Sequence, residues 1–249
     1  RGLVFKGPAL AADAYGDVTL RECGDLDLLI SHAEFPRVEE ALKQEGFTSN
    51  WEDPGQTRQV FACEFNRADA SLDVHWDLAP GWFNYRVDFD RFWNDAVALP
   101  GGSGMLRKPP AEDSLSVLCI HGSKHWWDRL RWVCDVAELI NAQQVVDWDR
   151  VEHTAKATHC RRTVAVGVYL AHAVLGAKLP AEVLTKLNRT SGVQRLSAQV
   201  DRWLDFAEQS KAQRNTRDRF WFRMGACERL RDRVPQIIHY LRARGRVAN

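Results

Sequence analysis

Two aspartates, Asp25 and Asp27, lie two positions apart in the otherwise apolar segment 24–30, GDLDLLI. The apolar residues favour a β-strand, in which side chains two positions apart project from the same face, roughly 6–7 Å from each other. Two like charges held that close repel, and burying them without a partner costs free energy. The natural partner is a hard divalent cation, which takes oxygen ligands. The segment therefore constrains the fold to a sheet with an acidic pair on one face, and it suggests Mg²⁺-assisted chemistry on phosphates.

The composition is that of a globular protein with one large domain or two modest ones. The chain has 249 residues, of which 45% are hydrophobic and 27% are charged. Its net charge of +1 argues against a nucleic-acid substrate. The C-terminal quarter is rich in arginine, however, so a surface patch that faces phosphates or nucleic acid stays an alternative. No apolar run is long enough to span a bilayer, so no membrane partner is expected. The six cysteines are scattered without a Cys-x-x-Cys pair, which predicts reduced thiols and a cytoplasmic location.

The first 105 residues alternate between strand-like and helix-like patterns, which predicts a small mixed α/β unit. The predicted strands cover residues 3–5, 26–30, 60–65 and 71–78, the last two as a hairpin, and the predicted helices cover 9–15 and 35–46. Pro8 suits the first turn of the earlier helix. Because the first residues match the middle of a strand, we expect natural sequence upstream of Arg1.

Residues 106–249 are predicted to form a second, helical domain. Turn-rich breaks at 100–104 and 109–110 separate it from the first unit. Helical periodicity covers residues 111–127, 130–144, 148–157, 161–175, a segment beginning near Pro180, 193–210 and 229–244.

Three features of the first unit converge on one kind of chemistry. Lys6 and Gly7 lie at a predicted strand-to-helix turn, where free N–H groups and close backbone approach suit a phosphate. The acidic pair is the second feature. The third is Asp73, which shares a strand face with His75 and Asp77 if segment 71–77 is a strand. Each feature alone is weak, since Asp-x-Asp is common at solvated strand ends.

Several segments in this order resemble a known protein family. They are FKGPAL at residues 5–10, GDLDLL at 24–29, DVHW at 73–76 and HGSKHWWDRLRWVCD at 121–135. As a set they resemble the bacterial "uncharacterised nucleotidyltransferase" family of the DNA polymerase β-like nucleotidyltransferase superfamily. The resemblance spans residues 3 to about 145. It implies an α+β fold: a small mixed-sheet, polymerase β-like palm domain (1–105) followed by an α-helical domain (106–249).

The resemblance also implies a function and a set of site residues. The expected activity is Mg²⁺-dependent transfer of a nucleoside monophosphate from a nucleoside triphosphate such as ATP to a small-molecule, peptide or protein acceptor. Asp25, Asp27 and Asp73 would be the catalytic residues and would hold two Mg²⁺ ions, with Mn²⁺ as an alternative. Two such ions align an acceptor oxygen with the α-phosphate and neutralise the leaving pyrophosphate.

Basic side chains around the acids are the expected phosphate ligands. Lys6 and Gly7 occupy the turn, Arg21 precedes the acidic strand, and Lys124 belongs to the helical signature. Arg21 could instead be a charge partner of the acidic cluster. His125 is expected to line the site.

One departure from the superfamily leaves other functions open. The turn usually contains Gly-Ser, whereas Pro8 follows Gly7 here and has neither a hydroxyl group nor a backbone N–H. Lys6 could replace the missing phosphate contact. Alternatively, the chain is a catalytically impaired binding or regulatory protein on the same fold. A third reading is a metal-dependent phosphohydrolase that uses the three aspartates and His75.

Overall fold

The computed structural model describes residues 1–49, 61–83, 85, 87–99, 106–205 and 216–247. In this part of the chain seven strands form one mixed sheet in the order β3-β4-β5-β2-β1-β7-β6. The strands are β1 (Gly2–Val4), β2 (Leu26–Leu29), β3 (Thr48–Ser49), β4 (Ala62–Arg67), β5 (Ala70–His75), β6 (Val97–Ala98) and β7 (Leu106–Lys108).

The centre of the sheet contains both antiparallel and parallel pairs. Strand β2 pairs antiparallel with β1 and parallel with β5. The β2–β5 register sets Asp27 beside Asp73 and Leu29 beside His75. The predicted hairpin is present as β4 and β5, but β5 ends at His75, so Asp77 does not lie on the strand as expected.

Three helices accompany the sheet. Helix α1 (Gly7–Leu10) has Pro8 in its first turn and continues as a wider π-helical turn over Ala11–Tyr15. Its end at Gly16, with φ of 72°, agrees with the predicted stop. Helix α2 covers Phe35–Gln44. Helix α3 (Phe89–Asp95) was not expected from the pattern; the side chain of Asp88 caps it by accepting a hydrogen bond from the Arg91 amide.

From residue 111 onward the described chain is helical. Its helices are α4 (Ala111–Lys124), α5 (Leu130–Ala142), α6 (Trp148–Ala157), α7 (Arg161–Leu175), α8 (Ala181–Arg189), α9 (Val193–Asp205), α10 (Thr216–Ala226) and α11 (Leu230–Val247). All but α10 were predicted, with Pro180 immediately before α8 and Pro235 inside α11. The predicted break at 100–104 and the end of the 193–210 helix lie outside the described residues.

One apolar core joins the sheet to the helices. Leu3 and Leu29 from the sheet belong to the same buried cluster as Leu115 of α4 and Val133 of α5. A smaller cluster packs α2 against the β3-β4-β5 end of the sheet. The sheet and the helices thus share one core, and the contact of Lys6, which follows β1, with His121 brings α4 next to the acidic residues. The expected division at residues 105/106 stays a prediction; strand β7, residues 106–108, pairs with β1 and therefore belongs to the sheet.

Among the described residues, none of the helices combines the length and the apolar character that crossing a membrane requires.

Candidate active site

Parallel pairing of β2 and β5 brings two carboxylates from separate parts of the chain together. Asp27 and Asp73 occupy matched positions on the two strands, so their side chains project from the same face. One ligand atom each from Asp27, Asp73 and His75 lie within 4.8 Å of one another. Nε2 of His75 is 3.2 Å from Oδ1 of Asp27 and 3.9 Å from Oδ2 of Asp73. This group could hold a divalent cation.

The turn after β1 supplies a cation to the same point. The Lys6 ammonium lies 2.5 Å from Oδ1 of Asp27, and both side chains are buried. Gly7 adopts a φ of +59°, and a Cβ there would lie 3.0 Å from the backbone oxygen of Asp25. Only glycine combines that backbone conformation with such a close approach at low cost. Gly7 therefore sets the distance between the lysine and the acidic strand.

Helix α4 places more basic side chains over the acids. Nδ1 of His121 is 3.4 Å from the Lys6 ammonium. The ring of His121 lies 4.7 Å from that of His125, measured between centroids. The Lys124 ammonium lies 4.5 Å from the centre of the Phe61 ring. The site is therefore built from the acidic sheet on one side and a basic helix on the other.

The two carboxylates differ in their electrostatic environment. Burial alone would raise the pKa of the Asp27 carboxyl, but contacts with His75 and Lys6 outweigh it and hold the pKa below its usual value. Burial raises the pKa of Asp73, and the negative charges of Asp25 and Asp27 raise it further. The Asp27 carboxyl is therefore firmly ionised, whereas Asp73 accepts a proton more readily.

Burial lowers the pKa values of Lys124 and of the three histidines in the site. Burial lowers the pKa of Lys124 to about 8, Lys6 lowers it further, and Asp27 and Asp73 oppose the shift. Three histidines, here called the site histidines, have lowered pKa values mainly because they are buried: about 4 for His75, about 3 for His125, and well below the usual value for His121. They are uncharged at neutral pH, so each ring has one nitrogen that can accept a hydrogen bond.

Asp25 lies at the edge of this arrangement. It is exposed immediately before β2, which begins at Leu26, so it does not lie on the strand as expected, and it does not belong to the three-residue cluster that lies within 4.8 Å. Its charge nevertheless acts on Asp73. A role for Asp25 as a metal ligand stays a prediction.

Arg21 has a partner outside the site. Its Nε and Nη2 donate hydrogen bonds of 2.8 and 3.0 Å to the two carboxylate oxygens of Asp135 on α5. The Tyr15 hydroxyl donates a further bond of 2.9 Å to Asp135. The pair ties the segment before β2 to the helical part of the chain. Contact of Arg21 with a triphosphate stays a prediction.

Packing explains much of the signature at residues 121–135. Trp127 is fully buried, and a Cβ at Gly122 would lie only 2.4–2.6 Å from three of its ring atoms. The Trp127 amide also donates a 2.8 Å hydrogen bond to the Gly122 carbonyl. Gly122 thus makes room for Trp127, which lies in the turn after α4.

Two residues of the site were not among the predicted site residues. The sequence predicted that His75 shares a strand face with Asp73, but it assigned His75 no role in nucleotidyl transfer. His121 was given no separate role, whereas its Nδ1 lies 3.4 Å from the Lys6 ammonium. Its four-residue spacing from His125 on a predicted helix was the available signal.

The donor set suits a divalent cation. Within the described part of the chain, both ring nitrogens of His75 are buried without a partner in hydrogen-bond geometry, and Oδ1 of Asp27 has the Lys6 ammonium beside it. Buried polar atoms of this kind normally have a partner, and one carboxylate oxygen with one imidazole nitrogen matches the ligands of a metal ion.

Comparison with known proteins agrees with this geometry. The model of a family described as "Uncharacterised nucleotidyltransferase" matches residues 1–176 of the chain. Neither the curated proteins nor the solved structures contain a match.

Proposed function

Because the chain belongs to the uncharacterised nucleotidyltransferase family, we propose that it transfers a nucleoside monophosphate from a nucleoside triphosphate to a hydroxyl or similar acceptor. The acceptor is a small molecule, a peptide or a protein, and the reaction depends on Mg²⁺ or Mn²⁺. The observation that carries the proposal is the matched position of Asp27 and Asp73 on adjacent parallel strands. This position also supports a polymerase β-like palm.

The roles of the residues follow from their positions. Asp27 and Asp73, with Asp25 beside them, hold the divalent ions. Bound ions of this kind neutralise triphosphate charge and orient the reacting oxygens. Asp73, whose pKa is raised, accepts the proton of the attacking hydroxyl group at a carboxylate oxygen.

The two lysines bind the phosphate oxygens. Lys6 contacts Asp27 at 2.5 Å, so its ammonium occupies the place of a cation beside this carboxylate. When the divalent ions and the nucleotide bind, Lys6 exchanges Asp27 for a phosphate oxygen and keeps a negative partner throughout. Lys124 lies on the opposite wall and adds a second positive charge.

A transfer assay with metal-free protein tests the proposal. Each of the four nucleoside triphosphates, labelled at the α-phosphate, is added with Mg²⁺ or Mn²⁺ to small-molecule, peptide and protein acceptors. We expect pyrophosphate release and transfer of the label. Asp27→Asn should reduce the rate at least about 100-fold, because it removes an ionised ligand.

The matched control for this assay is Asp69→Asn. Asp69 is an exposed aspartate that pairs with Arg67 in the β4–β5 turn, so its substitution should leave the rate unchanged. Turnover like that of the unmodified protein in Asp27→Asn would contradict the proposed role of Asp27.

A metal-dependent phosphohydrolase is the second candidate function. The observation that favours it is His75 beside both carboxylates, a combination that could activate water. The same assay separates the two functions, since hydrolysis releases free labelled nucleotide and leaves no label on an acceptor.

A further inference from the structure

The imidazole of His75 is a buried polar group whose position is not explained by packing alone. It is 3% exposed, and neither ring nitrogen has a partner in hydrogen-bond geometry among the described residues. The ring is held edge-on to Phe5, with 5.1 Å between the ring centres. Its Nε2 lies 3.2 Å from Oδ1 of Asp27 and 3.9 Å from Oδ2 of Asp73. Leaving such a group unsatisfied costs about 1–3 kcal/mol, so a partner is expected.

We propose that Nε2 of His75 is a metal ligand, and that Asp27, Asp73 and His75 together form a site that prefers Mn²⁺ to Mg²⁺. This inference rests on the proposed function and adds to it the identity of the metal. It also assigns a specific task to a residue that the expected three-carboxylate site does not use.

The distances between the three side chains fit a single cation. Ligand atoms about 2.1 Å from a cation are about 3.0 Å apart when they are at right angles and about 4.2 Å apart when they are opposite. The distances of 3.2 and 3.9 Å from Nε2 to the two carboxylates fall within this range. Because the Lys6 ammonium contacts the same Oδ1 of Asp27, it must move aside before all three groups can bind one ion.

The imidazole nitrogen of His75 explains the preference of the site for Mn²⁺ over Mg²⁺. Mg²⁺ takes oxygen ligands in a strict octahedron and gives up water reluctantly, whereas imidazole suits first-row transition metal ions. An Asp₂His set therefore stabilises Mn²⁺ more than Mg²⁺.

Mn²⁺ binding to metal-free protein tests the inference without relying on activity. Affinities for Mn²⁺ and Mg²⁺ are measured by calorimetry, and pulsed EPR of the Mn²⁺ complex detects a coordinated imidazole through its ¹⁴N coupling. We expect Mn²⁺ to bind at least about tenfold more tightly than Mg²⁺, with a clear ¹⁴N coupling.

Two histidine variants make the test specific. His75→Gln should lose the ¹⁴N coupling and at least about tenfold in Mn²⁺ affinity, while its Mg²⁺ affinity changes much less. The matched control is His153→Gln, an exposed histidine of α6, which should behave like the unmodified protein.

Several results would overturn the inference. They are the absence of ¹⁴N coupling in the unmodified protein, a coupling that persists in His75→Gln, and equal affinities for the two metals. If His75→Gln does not fold, the coupling and the Mn²⁺ preference of the unmodified protein decide the question. A protein that retains the coupling but transfers no nucleotide would support the ligand and reject the proposed function.

Discussion

The ion pair between Arg21 and Asp135 should contribute strongly to stability, and Arg21→Met tests this. The two side chains are only 12% and 4% exposed, and two hydrogen bonds of 2.8 and 3.0 Å join them. Removing the arginine leaves a buried carboxylate whose remaining partner is the Tyr15 hydroxyl. Breaking a buried pair in this way costs about 3–5 kcal/mol. For a chain of this size the loss corresponds to a fall in Tm of roughly 6–20 °C.

Urea unfolding followed by circular dichroism measures the effect. The double variant Arg21→Met/Asp135→Leu should recover most of the lost stability, because it leaves no unpaired charge. Arg131→Met is the matched control, since Arg131 is an exposed arginine on the same helix as Asp135. A loss below about 1 kcal/mol for Arg21→Met, or an equal loss in the double variant, would refute the reasoning.

Three further predictions concern packing, charge and pH. Gly122→Ala should lower the free energy of unfolding by about 1–3 kcal/mol, because the new methyl group collides with Trp127. In a Trp127→Phe background the loss should be smaller. Equal losses in both backgrounds, measured by urea unfolding, would contradict this. Asp73→Asn should make metal-free protein more stable, because the raised pKa of Asp73 means that its charged form is disfavoured in the folded state; a lower Tm would contradict this. The free energy of unfolding of metal-free protein should fall by about 2–4 kcal/mol between pH 7 and pH 5, where the site histidines take up protons in the unfolded state but not in the folded state. Asp77, with its pKa raised to about 6, opposes this change, and a stability that is constant across the range would contradict the prediction.

Local patterns predicted the elements of the fold well where a clear periodicity was present. Helices α6 and α7 begin and end where the apolar period predicted. Helix α10 escaped prediction because its sequence, TRDRFWFRMGA, mixes charged and aromatic residues without a clean apolar stripe. Helix α3 is short, and only its Asp88 cap signals it.

The site was predictable only in part, because strand register and long-range contacts are not visible in a local pattern. The two-residue spacing placed Asp25 and Asp27 on one face, and the family resemblance added Asp73. The pairing of Asp27 with Asp73 depends on which strands are neighbours. Contacts such as Lys6 with His121, 115 positions apart, depend on how α4 packs over the sheet.

The departure at Pro8 also has a structural explanation. Proline lacks the N–H that the usual serine would offer to a phosphate, but it fits the first turn of α1 without strain. Lys6, immediately before the turn, lies against Asp27 and can supply the missing positive contact.

The central claim is that Asp27 and Asp73 bind a divalent cation in the presence of nucleotide. Crystals grown with Mn²⁺ and a non-hydrolysable nucleoside triphosphate, measured for anomalous scattering by Mn²⁺, test it most directly. The account predicts an anomalous peak about 2.1–2.3 Å from an oxygen atom of each carboxylate, with the Lys6 ammonium moved from Asp27 to a phosphate oxygen. A bound nucleotide with no peak between the two aspartates, or Lys6 still in contact with Asp27, would contradict it.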